Sequence, residues 1–329
     1  MKIIVPVAGI GSRLAPHTYT VPKALVQVAG KPMLGHILDK IKDLKDLTEV
    51  VFVVGYLGDK IVDFIQNNYS FQSKFVYQKE RKGLGHAIYV AMNKMDNLDE
   101  PVLIMLGDTL FEMDIEKIML PDIDGVIVTS EVNNPERFGV VVSENNRIKE
   151  LVEKPEKFVS NRAIIGIYYI SNTRLLHESL KYIYDNNIKT RGEYQLTDAL
   201  ARMLKKGANF KDALCPLWLD CGKPETLLDT NRQLLNIYFK EKDYNFKNAV
   251  IKKPVAIADG VVIENSVVGP NVSIASGVKI KNSVVRESII NKDAILENAL
   301  LSESLIGENA IFKNRYNKVN VGDSSEFIS

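Results

Sequence analysis

The six residues I-E-N-S-V-V beginning at Ile263 return as I-K-N-S-V-V at Ile280 and, more loosely, as L-E-N-A-L-L at Leu296. Between them stand V-G-P-N-V-S at Val268 and I-A-S-G-V-K at Ile274, and I-G-E-N-A-I follows at Ile306. An aliphatic residue thus recurs about every six positions, with Gly, Asn or Ser at the corners. A segment that repeats itself at a short fixed period buries its apolar positions by stacking each repeat on the next, which is how a solenoid is built. An antiparallel meander is the alternative. It is disfavoured because the repeat is self-similar and carries no hairpin turn pairs.

The repeat resembles the hexapeptide repeat of left-handed parallel β-helices, in which three short strands make one coil. About three coils are expected between Pro254 and Phe312. So short a solenoid has exposed ends, so packing on the preceding domain or on a second copy is expected, and with it a homo-oligomer. The polar tail after Asn314 is expected to be loosely ordered.

Upstream, as far as about Phe239, the pattern is different. Val50–Val54, Phe75–Tyr77, Val102–Leu106 and Val126–Thr129 are apolar runs that read as buried strands. Met33, Leu34, Ile37, Leu38, Ile41 and Leu44 keep helical spacing, as do stretches over Asp59–Ile65 and Ala87–Met95. Further helices are expected around Arg174–Tyr184, Tyr194–Lys205 and Pro224–Phe239. Alternation of this kind predicts an α/β class with a mostly parallel sheet covered by helices on both faces. With 329 residues, two domains are expected, over 1–245 and 246–329.

Composition narrows the partners. Hydrophobic residues make up 46% and charged residues 25%, ordinary values for a soluble chain with ample core. A net charge of +1 gives no long-range attraction to nucleic acid or to an anionic membrane, so an anionic ligand must be held by local charge. Cys215 and Cys221 lack metal-ligand spacing and fit a reducing compartment. Pro6 and the glycines after it break the N-terminal apolar run too early for a signal peptide, and no apolar segment is long enough to span a membrane. A cytoplasmic protein acting on small phosphorylated molecules is expected.

The stretch from Val7 to Lys23 carries the chemistry. The apolar run Lys2–Val7 reads as a first strand, after which the chain breaks into Gly9, Gly11 and Ser12, then Arg13 and later Lys23. Glycines let main-chain N–H groups approach a polyanion, and Arg and Lys supply the compensating charge. This is a triphosphate cradle at the carboxyl end of a strand. It is not a Walker A loop, for it lacks Gly-Lys-Ser/Thr. Nor is it a dinucleotide fingerprint, because Leu14 stands where the third glycine would be.

The loop resembles the signature of the sugar-nucleotide pyrophosphorylases, G-x-G-[ST]-R-L-x-P-x-T followed by P-K. Gly9, Gly11, Ser12, Arg13, Leu14, Pro16, Thr18, Pro22 and Lys23 fill those places. Four later segments match the same family in order: Y-Q-K-E-R-K-G-L-G-H-A from Tyr77, L-I-M-L-G-D-T-L-F from Leu103, the R-F-G-V-V, V-E-K-P and I-I-G-I-Y-Y group, and W-L-D-C-G-K-P-E-T-L-L from Trp218. The G-L-G-H-A wording is closer to uridylyltransferases than to thymidylyltransferases.

The resemblance implies the Rossmann-like nucleotide-diphospho-sugar transferase fold and the reaction of a nucleoside triphosphate with a sugar 1-phosphate, releasing pyrophosphate. It places Ala8, Gly9, Gly11, Ser12 and Arg13 on the nucleotide phosphates, Gln78 and Gly83 at the base, and Asp108 on nucleotide and metal. It places Gly139, Glu153, Lys154, Gly166 and Glu193 at the sugar phosphate, with Arg13, Lys23 and Lys154 as the catalytic cations. Asp108 and Asp220 would share one Mg²⁺. R-G-E-Y-Q-L-T-D-A-L from Arg191 also matches a family segment near the sugar, where Asp198 reads equally as a helix cap or brace and is left out of the site, while His17 and His86 read as structural or peripheral rather than acid–base groups. UTP or dTTP with glucose 1-phosphate is the implied pair, while mannose 1-phosphate or an amino-sugar phosphate stays open. The alternative is a subunit of the same fold that binds nucleotide sugar without turnover, although such chains tend to lose the loop Arg, the Lys or an Asp. An acyltransferase role for the solenoid is disfavoured, because every histidine precedes Lys181.

Overall fold

The computed structural model describes residues 1–238 and 242–315. They form two compact units, one from Met1–Val26 and Lys31–Thr226, the other from Gln27–Gly30 and the chain from Leu227 onward.

The first unit is built on a nine-stranded sheet. Its order is Ser73–Tyr77, Glu49–Val54, Lys2–Pro6, Val102–Met105, Arg162–Ile170, Gly125–Glu131, Phe210–Leu214, Arg147–Glu153 and Gly139–Glu144. The first four run parallel, and these are the strands whose continuous apolar runs mark burial on both faces. Arg162–Ile170 is antiparallel to both its neighbours, and the hairpin of Gly139–Glu144 with Arg147–Glu153 closes the far edge. The α/β class holds, and the sheet is mixed, its parallel half carrying the glycine loop.

Helices cover both faces of this sheet. Ile88, Leu176, Leu180, Leu200 and Met203, from helices Leu84–Met92, Thr173–Asp185 and Leu196–Lys205, join Ile4, Val51, Val53 and Ile104 in one buried cluster. Phe52 alternates to the opposite face, where it stacks on Phe75 at 5.6 Å and Phe71 at 6.3 Å beside helix Gly58–Asn68. The helix expected to run to Leu44 spans only Met33–Asp39. The N–H groups of Lys40 and Ile41 bond the carbonyls of Ile37 and Leu38, the three-residue spacing of a tightened last turn.

In the second unit, strands stack in parallel on three faces, four to a face. The coils are therefore four, from Val250 to Lys313, one more than the repeat suggested. The strand outside the expected Pro254–Phe312 span is Val250–Ile251, which pairs with Val267–Val268 although its sequence lacks the clear repeat. Each coil places Val268, Ile274, Ile280, Val285, Ile290 and Leu296 inward, which is what a parallel β-helix of the left-handed hexapeptide kind requires. The corner asparagines have a purpose. Asn265, Asn282 and Asn298 turn at φ 48°, 51° and 55°, a left-handed conformation Asn tolerates, and their amides hydrogen-bond from coil to coil at 3.2 Å. The tail beyond Arg315 lies outside the described residues.

Candidate active site

The glycine loop leaves the first strand where the sheet still holds it, the Val7 N–H donating to Val53 O at 2.8 Å. Gly11 then turns at φ 74°, a left-handed conformation. A Cβ on it would lie 2.7 Å from Lys23 Cβ, so any larger residue would push Lys23 away. Thr18 Oγ1 donates to Gly11 O at 2.9 Å, and buried Leu14 anchors the turn. Ser12 and Arg13 stay exposed on its outer side. Arg13 reaches toward the end of the unit, its guanidinium carbon 3.5 Å from where a Gly222 Cβ would stand.

A cavity of about 830 Å³ opens at the carboxyl ends of the parallel strands. Of the residues expected to bind nucleotide, Ala8, Gly9, Gln78, Gly83 and Asp108 line it, together with Lys23. Lys23 makes an ion pair with Asp108, its ammonium largely covered and the carboxylate more open. Parallel pairing of Ile4 with Ile104 sets this geometry, because it brings both strand ends, and hence Gly9 and Asp108, to one edge.

Asp220 arrives from another direction. Leu217–Asp220 pairs antiparallel with Thr109–Glu112, and Asp220 stands opposite Thr109, the residue after Asp108. The Gly222 N–H donates to Asp220 Oδ1 at 2.8 Å. No three metal-ligating side chains cluster among the described residues. Asp220, at the end of one strand, and Asp108, in the turn just before the strand it pairs with, fit a hard divalent cation whose remaining ligands are phosphate oxygens and water.

The residues expected at the sugar form a second group. Glu153 pairs with Gly139 across the hairpin, and a Cβ on Gly139 would come within 2.9 Å of both Glu153 Oε2 and Thr197 Oγ1. Thr197 Oγ1 donates to Glu153 Oε2 at 2.8 Å, and Lys154 Nζ lies 3.5 Å from Glu153 Oε1. Lys154 turns at φ 43°, fixed by its N–H to Phe138 O at 3.0 Å and by Arg191 donating to its carbonyl at 3.1 Å. Gly166 sits behind Leu106, whose N–H it accepts at 2.9 Å, and Leu106 lines the cavity. Glu193 lines the cavity beside Gly83.

Other groups are structural. Asp198 accepts from Thr190 Oγ1 at 2.8 Å, as a brace would, and burial pushes its carboxyl up. Cys215 and Cys221 are buried and unbridged, and burial pushes the Cys215 thiol up, away from reactivity. Sequence reasoning missed Thr197, although it stands in the matched segment beside Asp198. Its role depends on Glu153, which only tertiary packing brings to it. Lys79, Glu80 and Arg81 also line the cavity, and nothing in their spacing marks them.

A family model described as nucleotidyl transferase matches residues 2–237. The chain belongs to this family. Among nucleotidyl transferase relatives, the bifunctional protein GlmU of Methanocaldococcus jannaschii is 37% identical over 80% of this chain, which spans 61% of that protein's length. The UTP–glucose-1-phosphate uridylyltransferase AglF of Haloferax volcanii is 32% identical over 71% of this chain and 96% of its own. A solved UDP-glucose pyrophosphorylase complexed with UDP-glucose aligns with a TM-score of 0.59 at 25% identity, covering 72% of this chain and 98% of that one. A Bacillus anthracis protein assigned as a glucose-1-phosphate thymidylyltransferase aligns at 0.60 with 27% identity, covering 73% and 98%. No helix among the described residues is long and apolar enough to cross a membrane.

Proposed function

We propose that this chain transfers a nucleotidyl group from UTP or dTTP to a sugar 1-phosphate, glucose 1-phosphate being the first choice, giving a nucleoside-diphospho-sugar and pyrophosphate. The observation that carries this reading is the convergence of Gly9, Lys23, Asp108 and Gln78 on one cavity. A phosphate cradle, a cation, a metal-type carboxylate and a base-reading amide face a single space of nucleotide size. Relatives named for UTP, UDP-glucose and glucose 1-phosphate support the substrates.

A sugar-phosphate oxygen attacks the α-phosphorus while the bond to the β-phosphate breaks. The nucleophile is already ionised at neutral pH, so no general base is needed and catalysis is positioning and charge neutralisation. The loop amides and Arg13 hold the departing pyrophosphate, and Lys23 sits at the α-phosphate. Lys154 holds the attacking phosphate against a like-charged target, while Glu153 accepts from sugar hydroxyls and Gly139 and Gly166 leave room for the ring. Asp108 and Asp220 would hold a Mg²⁺, which would supply Lewis-acid charge. Glu193, which lines the same cavity, binds on the sugar side. The chain functions as a homo-oligomer in the cytoplasm on this reading.

The test is pyrophosphate release with Mg²⁺, measured over a grid of nucleoside triphosphates against glucose, mannose, galactose and N-acetylglucosamine 1-phosphates. Release that depends on both substrates supports the reading, and the best pair names the product. Nucleotide binding without release over the whole grid points instead to a binding subunit.

A further inference from the structure

We infer that His86 is a positioning residue for Gln78: its Nδ1 accepts a hydrogen bond from the Gln78 amide nitrogen, which leaves the amide oxygen to face the base and selects bases with a ring N–H. The inference rests on the nucleotidyl-transfer reading and names how that site chooses its nucleotide.

Gln78 follows the Ser73–Tyr77 strand, its N–H bonded to Val54 O at 2.8 Å, and its buried side chain lines the cavity. Its Nε2 lies 3.3 Å from Gly83 O and 3.0 Å from His86 Nδ1. A main-chain carbonyl can only accept, so the nitrogen end of the amide must be the end facing Gly83. The second N–H then points at His86, whose Nδ1 must offer a lone pair and whose proton sits on Nε2. Both donors are used within the wall. The oxygen makes no hydrogen bond within the described residues and remains for a ligand. An acceptor there pairs with the ring N–H of uracil or thymine and repels the ring lone pair of cytosine.

An imidazolium would set an N–H against the amide NH₂ and undo the arrangement. The surroundings oppose it. His86 stacks on Tyr184 at 5.6 Å and lies 6.4 Å from Tyr194, with Lys82 and Glu80 as the charged groups facing it. Lys82 pairs with Glu80 at 2.6 Å and lies over the Tyr184 ring, while Lys189 lies over Tyr194. Burial, then Lys82, hold the imidazole below its ordinary value, with Glu80 acting the other way. The acceptor form therefore stands at neutral pH, and protonation needs more acidic conditions than for an ordinary imidazole.

The test is calorimetric binding of UTP and CTP to the full chain, from about pH 7.5 down to about pH 5.5. The ratio of the two affinities is the readout, because titration of the triphosphate is common to both and cancels. In the unaltered protein the preference for UTP should shrink as pH falls. His86→Phe keeps the ring stack but removes the acceptor, and should cut the UTP preference by roughly tenfold at every pH. His86→Asn puts a non-titrating acceptor where Nδ1 stood, and should keep the preference and lose its pH dependence. An unchanged ratio in His86→Phe overturns the inference. If that variant does not fold, a pH-dependent ratio persisting in His86→Asn does so. Should neither nucleotide bind the unaltered protein, the nucleotidyl-transfer reading falls as well. UTP binding with an unmoved ratio sinks His86 alone.

Discussion

Lys23 and Asp108 form an ion pair across 85 residues of sequence, and each is the group the other would have to release to meet a triphosphate. Replacing Asp108 by Asn leaves the shape of the pocket while removing one of the two carboxylates proposed to hold the metal. Turnover should fall by about 10²–10³-fold or more, the scale for losing a preorganised charge. The melting temperature should move little, because the carboxylate is partly exposed. A folded Asp108→Asn protein with near-normal rates would remove the proposed mechanism.

Arg13 and Leu14 are neighbours with opposite roles, one exposed and one buried. Arg13→Ala should lower pyrophosphate release by about 10²-fold or more without shifting the unfolding transition. Leu14→Ala should cost about 2–5 kcal/mol of stability by emptying a core position. Denaturant unfolding beside steady-state rates separates the two.

Thr197 donates to Glu153, the carboxylate proposed to accept from sugar hydroxyls. Thr197→Val should raise the KM for the sugar phosphate by roughly tenfold, the scale of one lost hydrogen bond to a charged group. The KM for the nucleotide should stay where it is. Equal changes in both constants would mean that Thr197 acts on the whole unit and not on the sugar side.

Asp198 is held by burial above the ordinary carboxylate range, against the opposing pull of Thr190. A raised folded-state value favours the folded protein while the group is protonated, and that advantage is lost as pH rises through it. Asp198→Asn should therefore raise the melting temperature at pH 7 by about 1–2 °C. The gain should vanish below about pH 4, where the carboxyl is neutral in either state. Thermal melts across this range decide it.

Asn282 sits in the middle of the corner ladder, between Asn265 and Asn298, with φ at 51°. Asn282→Gly keeps the turn and loses the ladder, whereas Asn282→Ala loses both. Alanine should destabilise the β-helix by about 1–3 kcal/mol and glycine by less. Chemical denaturation followed by a probe in the second unit would rank them.

Much of this was legible in the chain. The parallel strands announce themselves because burial on both faces demands unbroken apolar runs, as in Val50–Val54. The antiparallel half was harder to read. Arg147–Glu153, R-I-K-E-L-V-E, has charged residues at four of seven places and looks like a surface segment until its partners are known. The first strand of the β-helix, Val250–Ile251, lay outside the expected span for a similar reason, since Val250 pairs with Val267 through main-chain atoms that no repeat in the side chains reports.

By itself, then, the sequence determined the local devices: the glycine loop with its two cations, the strand-terminal Gly107 and Asp108, the period of the solenoid. Each rests on near neighbours, on main-chain freedom or on alternation, and is written within a short stretch. Tertiary structure alone decided which devices meet. It set Asp220 opposite Thr109, placed Glu193 against Gly83, and turned the Gln78 amide toward Gly83 and His86. Those meetings depend on strand order and side-chain packing between segments far apart in the chain, and neither leaves a periodic mark in the residues themselves.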